Sequence, residues 1–207
     1  MNVVVLVSGG GPNLQALIDY EKSASDCPYK IVAVCSTTKN AFALERAKST
    51  GIPAFVKSPF SVMGKEAALN STREQKNAAV SDSVLELCRE VRADLIVLAG
   101  CLLVLSGKII SEYEGKILNL HPALLPKFGG VGMWGENVHR AVLASGEKES
   151  GCTVHLADGG CDTGKILIQK KVPVLPGDTV ETHYARIAPK EHEASVEAVL
   201  MMCEKQK

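Results

Sequence analysis

Three features of the sequence predict an α/β fold: a strand, glycine turn and helix at the N-terminus, the return of that unit, and strands built from almost unbroken apolar runs. The first unit opens on Asn2 to Val7, "NVVVLV", a β-branched run that suits a pleated, buried surface. It passes through "SGGGPN" into a segment where Leu14, Leu17 and Ile18 recur at helical spacing. The unit returns at Lys30 to Cys35, "KIVAVC", ahead of "STTKNAFALERAKSTGI". Ala93 to Ala99, "ADLIVLA", then follows a helical stretch from Glu74 to Val91. Strands apolar on both faces and alternating with helices imply a parallel sheet covered on both sides. The expected architecture is a Rossmann-like, mostly parallel twisted sheet with helices on both faces.

After His121 the texture changes. A glycine-rich stretch, "KFGGVGMWGENVHRAVLASG", contains a short helix, "GCTVHLA" and "KILIQKKVPV" read as added antiparallel strands, and a last helix runs from Asp178 to Cys203. The segment Lys57 to Thr72 shows no clear period and reads as a mobile surface excursion.

With 207 residues and 46% hydrophobic composition, the chain can bury one sizeable core. Lys plus Arg and Asp plus Glu both number 23, so no net field draws the chain to nucleic acid or an anionic membrane. The longest apolar run, Leu95 to Leu105, is shorter than the ~20 residues a membrane span needs. The N-terminus enters directly on a strand, so an unprocessed cytoplasmic protein is expected. Seven cysteines, an odd number without CxxC spacing, read as reduced thiols, and no HxxxH spacing suggests a metal.

Two constellations carry chemistry. The turn Ser8 to Asn13 can converge backbone N–H groups on an anion at a helix N-terminus, although it is neither Walker A nor a complete GxGxxG, and a plain βα turn has the same pattern. The second is "ILNLHPALLPKFGG", where strand alternation puts Asn119 and His121 on one face, just before Pro122 and Pro126 end regular structure. Asp158 and Asp162, in "HLADGGCDTGK", are the acids within reach of such a pair, and spacing alone leaves both open. An amide donor, a proton-carrying imidazole and an orienting carboxylate together suit attack on a carbonyl.

The pieces "VVLVSGGGPNLQALID", "IVLAG", "ILNLHPALLPKFGG", "GCTVHLADGGCDTGKILIQKKVPV" and "ARIAPKEH" cover nearly the whole chain. In order and spacing they resemble the 10-formyltetrahydrofolate-dependent formyltransferases, in particular those acting on glycinamide ribonucleotide. The resemblance implies formyl transfer from 10-formyltetrahydrofolate, as co-substrate and without a metal, to the amine of glycinamide ribonucleotide in purine synthesis. It gives Asn119 the role of oxyanion donor, His121 that of general acid and base, and Asp162, through Asp-x-Gly, that of orienting His121. It places the substrate phosphate and ribose at Gly10, Gly11, Pro12, Asn13 and Glu191. For Glu191, a solvated glutamate on the last helix is the alternative. The folate falls against Leu102, Val104, Leu105 and the loop Ala157, Asp158, Gly159, Gly160 and Cys161, with Thr153 and His155 bordering the site.

By the same resemblance the chain is a single domain, with residues 1–100 as the phosphate-binding half and 101–207 as the folate-binding and catalytic half. It works as a monomer or homodimer on small molecules. Pro12 departs from the family's Ser or Thr, removing a hydroxyl and a backbone N–H. Leu103 and Ala188 stand where some members carry arginine and glutamine. His139 and His183 read as ordinary surface or helix residues. The competing readings are a relative that formylates another amine or hydrolyses formyltetrahydrofolate, a non-catalytic nucleotide sensor, and a nicotinamide oxidoreductase.

Overall fold

Val3 to Val7 are wholly buried in β1 (Asn2–Val7), the strand on which the N-terminal half is assembled. The computed structural model describes residues 1–205. Two compact units form, Met1–Ile117 and a second that begins at Leu118. In the first, α1 (Pro12–Ser23), β2 (Lys30–Ser36), α2 (Phe42–Ser49) and β3 (Ala54–Val56) follow β1. Then come α3 (Pro59–Met63), α4 (Lys65–Asn70), α5 (Arg73–Glu90), β4 (Leu95–Leu98), α6 (Lys108–Glu112) and the start of β5 (Ile117–His121). β1 pairs in parallel with β2 and β4, and β2 pairs in parallel with β3. Leu14, Leu17 and Ile18 of α1 are buried, so the helical spacing read from the sequence is the packed face.

The second unit continues β5 and adds α7 (Glu136–Ser145), β6 (Glu149–Leu156), β7 (Ile166–Pro173) and α8 (Val180–Glu204). β6 pairs antiparallel with both β5 and β7. Strand order in the mixed sheet is β3-β2-β1-β4-β5-β6-β7. The expected α/β fold, mostly parallel with antiparallel C-terminal strands and a final helix, is the one observed. Among the described residues no helix is long and apolar enough to cross a membrane.

Two readings are refined. Residues 57–72, read as a surface excursion without a clear period, do lie mostly at the surface but hold two short helices, because Ser58 and Ser61 form a capping box at the start of α3 and Gly64 turns the chain into α4. Thr72 and Gln75 form the next capping box, at α5. His139 and His183, read as surface or helix residues, do lie on helices, α7 and α8, but not at the surface: both are buried, with their Nδ1 atoms 3.1 Å apart.

Candidate active site

Antiparallel register sets the neighbours of the strand-end pair. His155 lies directly across from Asn119, and Thr153 across from His121. Thr153 is fully buried and supports the chain leaving His121: its hydroxyl donates to the Ala123 carbonyl at 2.6 Å and accepts from the Leu125 N–H at 3.0 Å. Gln169 Nε2 donates to the same Thr153 oxygen at 3.0 Å and to the Leu125 carbonyl at 2.9 Å.

Asp162 arrives from the loop between β6 and β7 at φ 59°, a left-handed conformation that aspartate tolerates better than most residues. A Cβ at Gly164 would stand 1.7 Å from the Leu156 carbonyl oxygen, so only glycine lets the loop rejoin β6 there. That close approach is the physical content of the Asp-x-Gly spacing. Asp158 has another task, its Oδ1 accepting from Gly160 N at 2.8 Å and Thr163 Oγ1 at 2.7 Å to close the loop.

Asp162 is the centre of the cluster, its side chain 9% exposed. Oδ1 accepts from Asn119 Nδ2 at 3.2 Å and lies 3.5 Å from His155 Nε2. Oδ2 accepts from the Gly130 N–H at 3.0 Å and lies 3.6 Å from His121 Nδ1. His121 Nε2 faces the Phe128 carbonyl at 2.8 Å, and since a carbonyl only accepts, Nε2 carries the proton. By the same logic His155 Nδ1 donates to the Leu156 carbonyl at 2.9 Å, which leaves Nε2 of the neutral ring to accept from Asn119 Nδ2 at 3.0 Å. Both amide hydrogens of Asn119 are therefore engaged.

Burial lowers the pKa of His121, while the Asp162 charge and the Phe128 carbonyl pull against it. For Asp162 burial pushes upward, but the close contact with His155, the Gly130 N–H and the His121 charge outweigh it and hold the carboxyl below its ordinary value. The result is an ionised carboxylate against an imidazole poised to stay neutral, beside an amide donor.

The other expected residues divide between the units. In the first, Gly11 caps α1 at φ 68° without a side-chain cap, and Pro12 occupies the first turn. Asn13 is 6% exposed and its Oδ1 is buried without a hydrogen-bond partner. Leu102 is 54% exposed, Val104 half-buried and Leu105 buried. In the second unit Asp158, Gly159 and Gly160 are exposed, with Ala157 and Cys161 half-buried. Glu191 lies on α8 and is 6% exposed, which overturns the solvated alternative. The sequence did not single out the Phe128 carbonyl or the Gly130 N–H, because backbone groups carry no residue signature. Among the described residues no group of three or more His, Cys, Asp or Glu could hold a metal.

An α/β chain that gathers an amide, an imidazole and a carboxylate at a strand end has the equipment of a group-transfer enzyme acting on a carbonyl. It belongs to the formyl transferase family, which matches residues 1–199. It is 36% identical over 193 residues to the phosphoribosylglycinamide formyltransferase of Haemophilus influenzae, covering 92% of this chain and 82% of that protein. It is 40% identical over 201 residues to the trifunctional purine biosynthetic protein adenosine-3 of Drosophila melanogaster. That match covers 97% of this chain but only 14% of the trifunctional protein's length. The crystal structure of phosphoribosylglycinamide formyltransferase from Brucella melitensis superposes with a TM-score of 0.83 at 39% identity, covering 98% of this chain and 95% of that one. Glycinamide ribonucleotide transformylase 1 from Symbiobacterium toebii gives a TM-score of 0.85 at 34% identity, covering 99% and 88%.

Proposed function

We propose that the protein transfers the formyl group of 10-formyltetrahydrofolate to the amine of glycinamide ribonucleotide, a step of purine biosynthesis. The observation that carries the reading is the meeting of Asn119, His121, His155 and Asp162 in one cluster, Asn119 bonded to His155 and Asp162, with His121 3.6 Å from the Asp162 carboxylate. The names of the relatives matched over most of their length supply the ribonucleotide and the formyl group, and the resemblance supplies the folate donor.

The neutral amine attacks the formyl carbon and the carbonyl oxygen takes up negative charge. Asn119 donates to that oxygen once its longer bond, to Asp162, gives way. His121 leaves the Phe128 carbonyl and takes the tautomer with its proton on Nδ1, toward Asp162, so that the bare Nε2 accepts the proton shed by the attacking nitrogen and delivers it to the departing folate nitrogen. Asp162 stabilises the imidazolium that exists between those two transfers. No covalent enzyme intermediate is needed, because positioning and proton transfer suffice for an amine nucleophile.

In this reading the phosphate lies on the N–H groups of the Gly10, Gly11 and Asn13 turn, where Pro12 supplies none. The unpartnered Asn13 Oδ1 is an acceptor and suits a sugar hydroxyl rather than the anion. Glu191 takes a ribose hydroxyl. The folate ring rests against Leu102, Val104 and the Ala157 to Cys161 loop. The proposal includes a cytoplasmic enzyme, monomeric or homodimeric, that needs no macromolecular partner.

The test is the absorbance of the folate product with purified protein, 10-formyltetrahydrofolate and glycinamide ribonucleotide, beside His121→Ala and Asp162→Asn. Product from the parent and its loss in both variants is expected. Folate product formed without the ribonucleotide makes hydrolysis the reaction instead, and turnover with other amines only moves the substrate assignment.

A further inference from the structure

We infer that Arg46 is a positioning residue for the anion turn: it holds the glycine peptides so that their N–H groups face the ligand. The inference rests on the proposed phosphate site and names what builds it. Three contacts fix the guanidinium. Nε donates to the Gly10 carbonyl at 2.8 Å, Nη1 donates to Gln15 Oε1 at 3.0 Å, and the group lies 5.0 Å from the centre of the Phe42 ring. Arg46 thus ties the last residue before the cap of α1 to the first turn of that helix, from its own place on α2.

A second bond runs the same way. The Ala43 N–H, at the start of α2, donates to the Gly9 carbonyl at 3.1 Å. In a trans peptide the C=O and the following N–H point in opposite directions. With the carbonyls of Gly9 and Gly10 both drawn to α2, the N–H groups of Gly10 and Gly11 are turned the other way, as a concave pair of donors requires. Gly11 itself presses against α2: a Cβ there would lie 2.6 Å from Ala43 Cβ, so the turn cannot shift toward α2 to compensate.

Arg46 matters more in this chain because Pro12 has no N–H to give, and α1 has no side-chain cap. Fewer donors remain, so the orientation of the two glycine N–H groups decides more of the anion affinity. The guanidinium also places a permanent positive charge against the turn. Lysine cannot reproduce this, since it lacks the planar fork that spans Gly10 and Gln15 together.

The experiment compares the parent, Arg46→Ala and Arg46→Lys by calorimetric titration with inorganic phosphate and ribose 5-phosphate, alongside steady-state kinetics and thermal melts. Phosphate and ribose 5-phosphate affinity should fall about tenfold in Arg46→Ala, with partial recovery in Arg46→Lys. The KM for the ribonucleotide should rise in step, while kcat and the KM for the formyl donor hold within about twofold. Equal phosphate affinity in the parent and Arg46→Ala overturns the inference, and so does a loss spread evenly over kcat, both KM values and melting temperature. A parent that binds neither phosphate compound and does not use the ribonucleotide removes the underlying function. A parent that turns over normally while Arg46→Ala is unchanged removes only the role of Arg46.

Discussion

Asn119 Nδ2 lies 3.0 Å from His155 Nε2, and the Leu156 carbonyl fixes the tautomer that makes this nitrogen an acceptor. His155 therefore aims the amide that the proposed reaction uses as its oxyanion donor. Replacing His155 with Phe keeps a buried ring but removes the acceptor. The expected result is a kcat lower by roughly tenfold to a hundredfold, with the KM for the formyl donor changed less than about threefold. A variant with parental kcat would show that Asp162 alone holds Asn119.

In the proposed mechanism Asp162 acts on His121 through charge as well as orientation. Burial lowers the His121 pKa and the Asp162 carboxylate raises it, so Asp162→Asn leaves burial unopposed by that charge. The His121 pKa should drop further. In a profile of kcat/KM against pH, the acid limb should move to lower pH while the plateau falls by about a hundredfold. An acid limb that stays in place assigns that limb to another group.

Parts of this site were legible because they depend on local rules. Strand alternation alone put Asn119 and His121 on one face, and apolar continuity marked β1, β2 and β4 as buried parallel strands. The rest depends on pairing across the chain. His155 meets Asn119 through antiparallel register, which no spacing between residues 119 and 155 encodes. The choice of Asp162 over Asp158 is made by Thr163 and Gly160, which occupy Asp158, and by the close approach at Gly164. Two signals were present and went unread. The Ser58 cap announces α3, and the phase of Val138, His139 and Val142 along α7 marks His139 as inward-facing.

The loop that carries Asp162 offers a paired test of backbone contact. Gly164→Ala puts a methyl into the Leu156 carbonyl, whereas a Cβ at Gly159, in the same loop, meets nothing within 4 Å. Gly164→Ala should lose about 2 kcal/mol or more by urea unfolding and also lose turnover, because the shift displaces Asp162. Gly159→Ala should stay within about 0.5 kcal/mol of the parent. Equal stability of the two variants would contradict the close approach.

The buried pair His139 and His183 makes the second unit sensitive to acid. Their rings meet edge to face, with centroids 5.1 Å apart, and a single proton is shared along the 3.1 Å Nδ1 contact. His183 Nε2 has no partner, so the cheaper arrangement leaves it a bare acceptor and puts the proton on His183 Nδ1, which donates to His139. Protonating His139 then sets N–H against N–H. Around His139, burial, His183 and His121 lower its pKa to about 4, with Glu136 acting the other way. Burial also lowers His183, between the opposed charges of Asp178 and Arg186. The unfolded chain, with histidine near 6.5, binds protons that the folded pair refuses. Stability is therefore full above pH 6.5, falls as the pH drops toward 4, and loses nothing further from His139 below that value. The His139 contribution is at most about 3 kcal/mol, and solvent screening of the ring reduces it. Urea unfolding of the parent and His139→Gln at pH 7.5 and about pH 4.5 reads it directly, since glutamine does not titrate. The stability lost between the two pH values should be smaller in His139→Gln by most of that amount, and an equal loss in both proteins would assign the acid sensitivity to other groups.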